Sequence, residues 1–94
     1  MIKHIFSVYD NKSCAYATPF PSTNKNTALR DFANAVKDPS SQLHLNPSDF
    51  SLHQIGTFDD ESALLVPTTP PLFMANASQF VEHLPEVIAD DELK

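Results

Sequence analysis

Two tyrosines and four cations carry the strongest chemical suggestion in this chain. Tyr9 and Tyr16 lie in a segment that also holds Lys3, Lys12, Lys25 and Arg30. Rings beside cations hold single-stranded nucleic acid without reading its sequence: bases stack on the rings, and the cations meet phosphate. Phe6 and Phe20 belong to the same segment, and for them the competing reading is a place in the core, with the lysines as ordinary surface.

The other chemically capable residues point to less. Asp59, Asp60 and Glu61 are hard oxygen donors in a row. Three adjacent carboxylates do not converge easily on one ion, and the spacing is not that of a calcium loop, so a solvated turn is expected. His4, His44, His53 and His83 lack paired ligand spacing. His4 and His53 approach one another only if their two strands pair. Cys14 is the single cysteine, which excludes an internal disulfide and a cysteine-based zinc site. Ser7, Ser13 and Ser22 sit in no nucleophile elbow, and one glycine cannot build a phosphate-cradling loop. No catalytic residue, cofactor or metal is therefore expected, and the reading is of a binding protein rather than an enzyme.

Charge restricts what such a protein binds. The formal net charge is −6. Residues 1–47 carry five cations against Asp10, Asp31 and Asp38, whereas residues 48–94 carry Lys94 against nine acids. The whole molecule is repelled by duplex DNA and membranes at long range; its front half alone is not. The first residues, MIKHIFSVYD, lack the apolar core and cleavage site of a signal peptide, and the longest apolar run, Ala63–Val66, is far short of a membrane span. A reducing cytosol suits the lone cysteine.

These groups must be positioned by a few short elements. Ile2–Tyr9 is apolar on both faces, as a central strand is. Turn chemistry at Asp10–Ser13 leads to a returning strand over 14–18, broken by Pro19 and Pro21. Leu29, Phe32, Ala33 and Val36 make one apolar stripe, predicting a helix over about 24–37. Thr23 is a candidate N-cap, with Asn24, Asn26 and Thr27 as alternatives, and Asp38-Pro39 stops the helix. A strand is expected over 50–58, with Phe50, Leu52 and Phe58 on one face and Ile55 on the other. Gly56, the only glycine, marks a bulge or a close backbone approach. A last strand is expected at 63–66. PTTPP, residues 67–71, reads as a linker. Beyond it, Phe73, Ala77, Phe80, Val81 and Leu84 are spaced as a second amphipathic helix over about 74–84, with Asn76 and Gln79 at capping-box spacing. The expected fold is α+β: a mostly antiparallel sheet of about four strands with one packed helix. The core domain spans 1–66, and 67–94 form linker, helix and acidic tail.

The segments FSVYDNK, ALRDFANAV–DP and NPSDFSLHQIGTFDD resemble the small nonstructural proteins of gokushoviruses, single-stranded DNA phages of the Microviridae. The matching positions include Phe6 to Asp10, Lys12, Arg30, Phe32, Asp38, Pro39, Pro47, Asp49, Phe50, Leu52, Ile55, Gly56, Phe58 and Asp59. The resemblance covers about residues 1–66, and the stretch after Pro67 departs from it. It implies a role with single-stranded DNA, in viral DNA synthesis or packaging, in the cytoplasm of an infected bacterium. In that reading Lys3, Lys12, Lys25 and Arg30 neutralise phosphate, and Tyr9 and Tyr16 stack on bases. The alternative is a protein–protein adaptor or homo-oligomer that acts through Phe73, Phe80, Val81 and Leu84 and makes no DNA contact.

Overall fold

A computed structural model describes residues 1–81 of the chain. Strand β1 (Ile2–Asp10) runs through the middle of one antiparallel sheet. On one side it pairs with two short strands, β2 (Ala15–Tyr16) and β3 (Phe20–Ser22). On the other it pairs with β4 (Phe50–Asp59), whose far edge pairs with β5 (Leu65–Asn76). Helix α1 (Lys25–Lys37) and the single turn α2 (Gln42–Leu45) connect β3 to β4, and 3₁₀ turns occupy Pro47–Asp49 and Ala77–Phe80.

Local chemistry accounts for the boundaries. At the β1–β2 turn the Lys12 N–H donates to Asp10 Oδ1 at 2.9 Å and the Cys14 N–H to the Asp10 carbonyl at 2.8 Å. Cys14 takes φ 58, and Ala63 takes φ 62 in the β4–β5 turn. Each sits in a left-handed conformation that costs a residue with a Cβ about 1 kcal/mol. Asn24 is the helix cap, its side chain accepting from the Thr27 N–H at 2.8 Å. At the other end Asp38 is extended, as the following proline requires, and its Oδ1 accepts from the Ser40 N–H and hydroxyl.

The helix stripe lies on one face of the sheet. Ala28, Phe32 and Val36 pack with Phe6, Leu52, Ala75 and Ala77, all buried. Phe20 stacks beside Phe6 at 6.0 Å, and Phe80 meets Phe32 edge-on at 5.9 Å. The adjoining buried polar group is Gln54, whose Nε2 lies 3.2 Å from His4 Nδ1.

A bulge changes which residues share a face. Ile5 opposes Gly56 but Phe6 opposes Gln54, so Ile55 is an extra residue in β4. Side-chain parity reverses there. Phe50 and Leu52 face the helix, while Ile55 and Phe58 both line the opposite face, contrary to the regular alternation that grouped Phe58 with Leu52. Gly56 also permits the close approach its position implied. A Cβ there would lie 2.7 Å from the Val66 carbonyl oxygen of β5.

The C-terminal expectations need correction. PTTPP is not a linker: it lies within β5, which pairs with β4 from Phe58↔Leu65 to Ser51↔Asn76. The prolines are tolerated because β5 is an edge strand, and Thr68–Pro71 leave the ladder between Gly56↔Pro67 and Gln54↔Leu72. The helix expected over 74–84 is absent as far as Val81. Residues up to Asn76 are strand, the capping box of Asn76 and Gln79 starts only the turn Ala77–Phe80, and Val81 is extended. Asn76 is held by Ser48 and Ser51, which keeps its segment on the sheet. The remainder of that expected helix, Leu84 included, and the acidic tail lie outside the described residues. Near Phe20 the chain forms a short edge strand where a break was expected, with Pro21 opposite Ile5.

Two substitutions test this packing. Gly56→Ala is expected to lower stability by about 1–3 kcal/mol, because Val66 must move to admit the methyl group. Phe6→Ala, at a side chain with no exposure, is expected to cost about 3–5 kcal/mol. Urea unfolding midpoints check both, and an unshifted midpoint for either would contradict the packing described.

Candidate functional site: the open face of the sheet

With α1 on one side, no helix among the described residues lies on the other side of the sheet. Tyr9 on β1 opposes Tyr16 on β2 and Ser51 on β4, and Ser7 opposes His53, which opposes Phe73 on β5. The outcome is a row of rings across four strands. Tyr9 and Tyr16 have ring centres 4.8 Å apart, Tyr16 and His53 5.6 Å, and His53 and Phe73 5.7 Å. His53 meets its neighbours edge-on, at 77–81°. Such tilted contacts are favourable, and they hold the rings in place before any ligand arrives. The two ends of the row are open to solvent, Tyr16 at 46% and Phe73 at 56% exposure. Burial raises the Tyr9 phenol above its ordinary value, and the Cys14 thiol beside it adds to the shift.

Farther along this face is an apolar groove of about 390 Å³, lined by Ile5, Pro19, Ile55, Phe58, Leu65 and the Val66–Pro67 backbone region. The arch between β2 and β3 forms part of its wall. Ser7, fully buried, donates its hydroxyl to the Ala17 carbonyl at 2.7 Å, which holds the arch against β1.

The acid cluster follows Phe58 at the end of β4. Asp60 Oδ1 accepts from the Met1 ammonium at 2.8 Å, Glu61 Oε2 from the same group at 3.3 Å, and Lys3 Nζ stands 3.9 Å from Asp60. The Asp59 N–H donates to the Leu64 carbonyl and the Ala63 N–H to the Asp59 carbonyl. The three acids therefore make a turn that ends β4 and is partly neutralised by cations. Among the described residues no three His, Cys, Asp or Glu side chains are grouped to hold a metal ion.

The expected site residues do not form one patch. Tyr9 and Tyr16 come together, with Lys12 on the turn joining their strands. Lys3 is at the far end of β1, opposite Phe58. Lys25 and Arg30 belong to α1 in the helical layer, where Arg30 Nε is 3.9 Å from Asp31. His4 and His53 do not meet, since His4 opposes Thr57. The supposed partner stripe is also divided. Phe73 is on the open face, whereas Phe80 and Val81 pack on the core beneath the helix. Sequence reasoning missed His53 and Phe73 as members of the ring row. The run Leu72–Ala75 is apolar without alternation, so no period-two signal marks the strand, and a helix-like spacing runs on to Leu84.

Fold and site together define a small α+β protein whose sheet is covered by helix on one side and, among the described residues, presents rings and apolar side chains on the other. The chain belongs to the phage ORF5 protein family, whose model matches residues 3–80. It is 35% identical over 80 residues to Protein ORF5 of Chlamydia phage 1, covering 80% of this chain and 83% of that protein. It is thus a small gokushovirus-type phage protein, as the resemblance implied. The family match continues past residue 66 through β5 and the Ala77–Phe80 turn, so the departure expected after Pro67 does not occur there. No solved structure matches the chain. No helix among the described residues is long and apolar enough to cross a membrane.

The acid turn yields a pH prediction. The Met1 ammonium, its hydrogen-bond partner, holds Asp60 below its ordinary carboxyl value of 3.8, and Asp60 in turn raises the ammonium above 8.0. The depressed carboxyl contributes stability above pH 3.8 that is lost as pH falls through its folded value. The raised ammonium contributes stability below pH 8.0 that is lost as pH rises through its folded value. An NMR titration is expected to place the Asp60 midpoint below 3.8 and to return it toward that value after amino-terminal acetylation. A midpoint unmoved by acetylation would disprove the pairing.

Proposed function

We propose that the protein is a nonenzymatic phage accessory protein that contacts single-stranded DNA through the ring row of its open sheet face. The observation that carries this reading is the alignment of Tyr16, His53 and Phe73 across the face, with both outer rings exposed. Every base offers a π-face, so stacking on such rings is tolerant of sequence and contributes about 1–3 kcal/mol per base. Lys12 beside the tyrosines supplies a phosphate contact. Lys25 and Arg30, in the helical layer, do not take part, which narrows the cationic set that the sequence suggested. A net charge of −6 keeps the binding weak at ordinary salt, fitting a protein that touches DNA transiently during synthesis or packaging in the host cytoplasm.

Fluorescence anisotropy with a labelled oligothymidylate at low salt tests the reading. Phe73→Ala and Tyr16→Ala are each expected to weaken binding by roughly tenfold or more. Lys12→Ala is expected to flatten the salt dependence by about one phosphate contact, and Arg30→Ala to change nothing. Absence of binding by the wild type at low salt, or equal losses for Arg30→Ala and Phe73→Ala, would refute it.

A further inference from the structure

We infer that His53 gives the ring row a preference among pyrimidines, by donating a hydrogen bond from its Nε2–H to the keto oxygen of thymine or uracil, which cytosine lacks. The inference rests on the ring-row reading and deepens it: stacking concerns the faces of the bases, His53 their edges.

His53 stands at the centre of the row. Its ring centre lies 5.6 Å from Tyr16, 5.7 Å from Phe73 and 6.2 Å from Tyr9, at 77–81° to all three. A base lying flat on Tyr16 or Phe73 is therefore nearly perpendicular to the imidazole, and the two touch along an edge instead of stacking. The hydrogen-bonding groups of a base are on its edge. A second bulge builds this arrangement. Leu52 opposes Ala75 but His53 opposes Phe73, so Met74 is an extra residue in β5. Ala75 and Met74 both pack on the core, which brings Phe73 onto the open face beside His53. A bulge re-aims a side chain at the cost of a ladder position.

The two nitrogens of His53 are not equivalent. Nδ1 is buried and, among the described residues, has no hydrogen-bond partner. A neutral imidazole has one N–H and one lone pair. A buried N–H without an acceptor is the rarer of the two orphans, so the proton belongs on Nε2. Nε2 is on the ring edge remote from the backbone, and the side chain is only half-buried, so the donor is presented on the open face.

Charge decides which base edge arrives. A chain of net charge −6 repels phosphate, so the backbone of a bound strand keeps to the solvent side except at Lys12. The base edge opposite the sugar then faces the sheet. On thymine and uracil that edge carries the acceptor O4, and on cytosine the amino donor N4. The Nε2–H pairs with the first and meets a second donor in the other. His53 thus adds a bias to stacking and reads no fixed sequence.

Labelled oligodeoxyuridylate and oligodeoxycytidylate of equal length test this, because uracil and cytosine have the same ring and differ only along that edge. Fluorescence anisotropy is run with the full chain at low salt and slightly alkaline pH, where cytosine stays neutral. The wild type is expected to bind the uridylate roughly threefold to tenfold more tightly. His53→Phe keeps a ring and removes the donor, and is expected to abolish the difference. Lys12→Ala removes a phosphate contact, and should weaken both oligomers by the same factor and keep their ratio. Nitrogen-15 NMR of the wild-type imidazole needs no substitution. It is expected to show the Nε2–H tautomer, with the Nε2 resonance moving when the uridylate is added and staying when the cytidylate is. Equal wild-type affinities, a preference that survives His53→Phe, or an Nδ1–H tautomer would each overturn this inference and leave the stacking row standing. Failure of both oligomers to bind would remove the ring row itself, and this inference with it.

Discussion

The pairing of β1 with β4 is the interaction on which the rest of the structure depends. It joins the first ten residues to residues 50–59 along nine register pairs, from Ile2↔Asp59 to Asp10↔Phe50. Each strand has a neighbour on its other side, so these two are the sheet's interior, and Phe6 and Leu52 stand on adjoining strands at its buried centre. Between the two strands the chain first adds β2 and β3 to the edge of the sheet and then crosses one face as α1, α2 and the 3₁₀ turn before it enters β4. Helix α1 packs there by offering Ala28, Phe32 and Val36 to the buried centre.

One helix of thirteen residues cannot cover two faces. A chain of this size has a small ratio of interior to surface and buries one modest core. In an antiparallel sheet the uncovered face is usually polar. Here it is not, for it carries Tyr9, Tyr16, Phe73, Ile5, Phe58 and Leu65. Water-facing rings and aliphatic groups on strands contribute little to folding, and their concentration there is what the proposed function rests on. The division of the face follows from the bulge at Ile55. Toward Asp10 the rings align, and toward Ile2 the reversed parity brings Ile55 and Phe58 together over the gap beneath Leu65.

Electrostatics divides the same face. The acid turn is partly neutralised by the Met1 ammonium and Lys3, so those two cations are engaged at that turn and contribute little at the ring row. Grouping the cations by sequence treated proximity along the chain as proximity in space. That assumption holds for Lys12 with its neighbouring tyrosines. It fails for Lys25 and Arg30, since the chain has by then crossed from the sheet into the helical layer.

The sequence alone determined the elements whose signals are local: β1 from its two apolar faces, the α1 stripe and its stop at Asp38-Pro39, the turn at Asp10–Ser13, the acid turn, and the Asn76–Gln79 capping box. It also marked Gly56, since a lone glycine in a strand calls for a close approach or a bulge. Tertiary structure decided the fate of residues 65–81. Their spacing satisfied a helical stripe, and their prolines satisfied a linker, yet pairing with the free edge of β4 outweighs both, because an unpaired β4 would leave its backbone groups without partners. It decided the faces too. One extra residue at Ile55 reverses every side chain beyond it, and the hydrophobic pattern of a single strand cannot register a displacement that exists only relative to its neighbour.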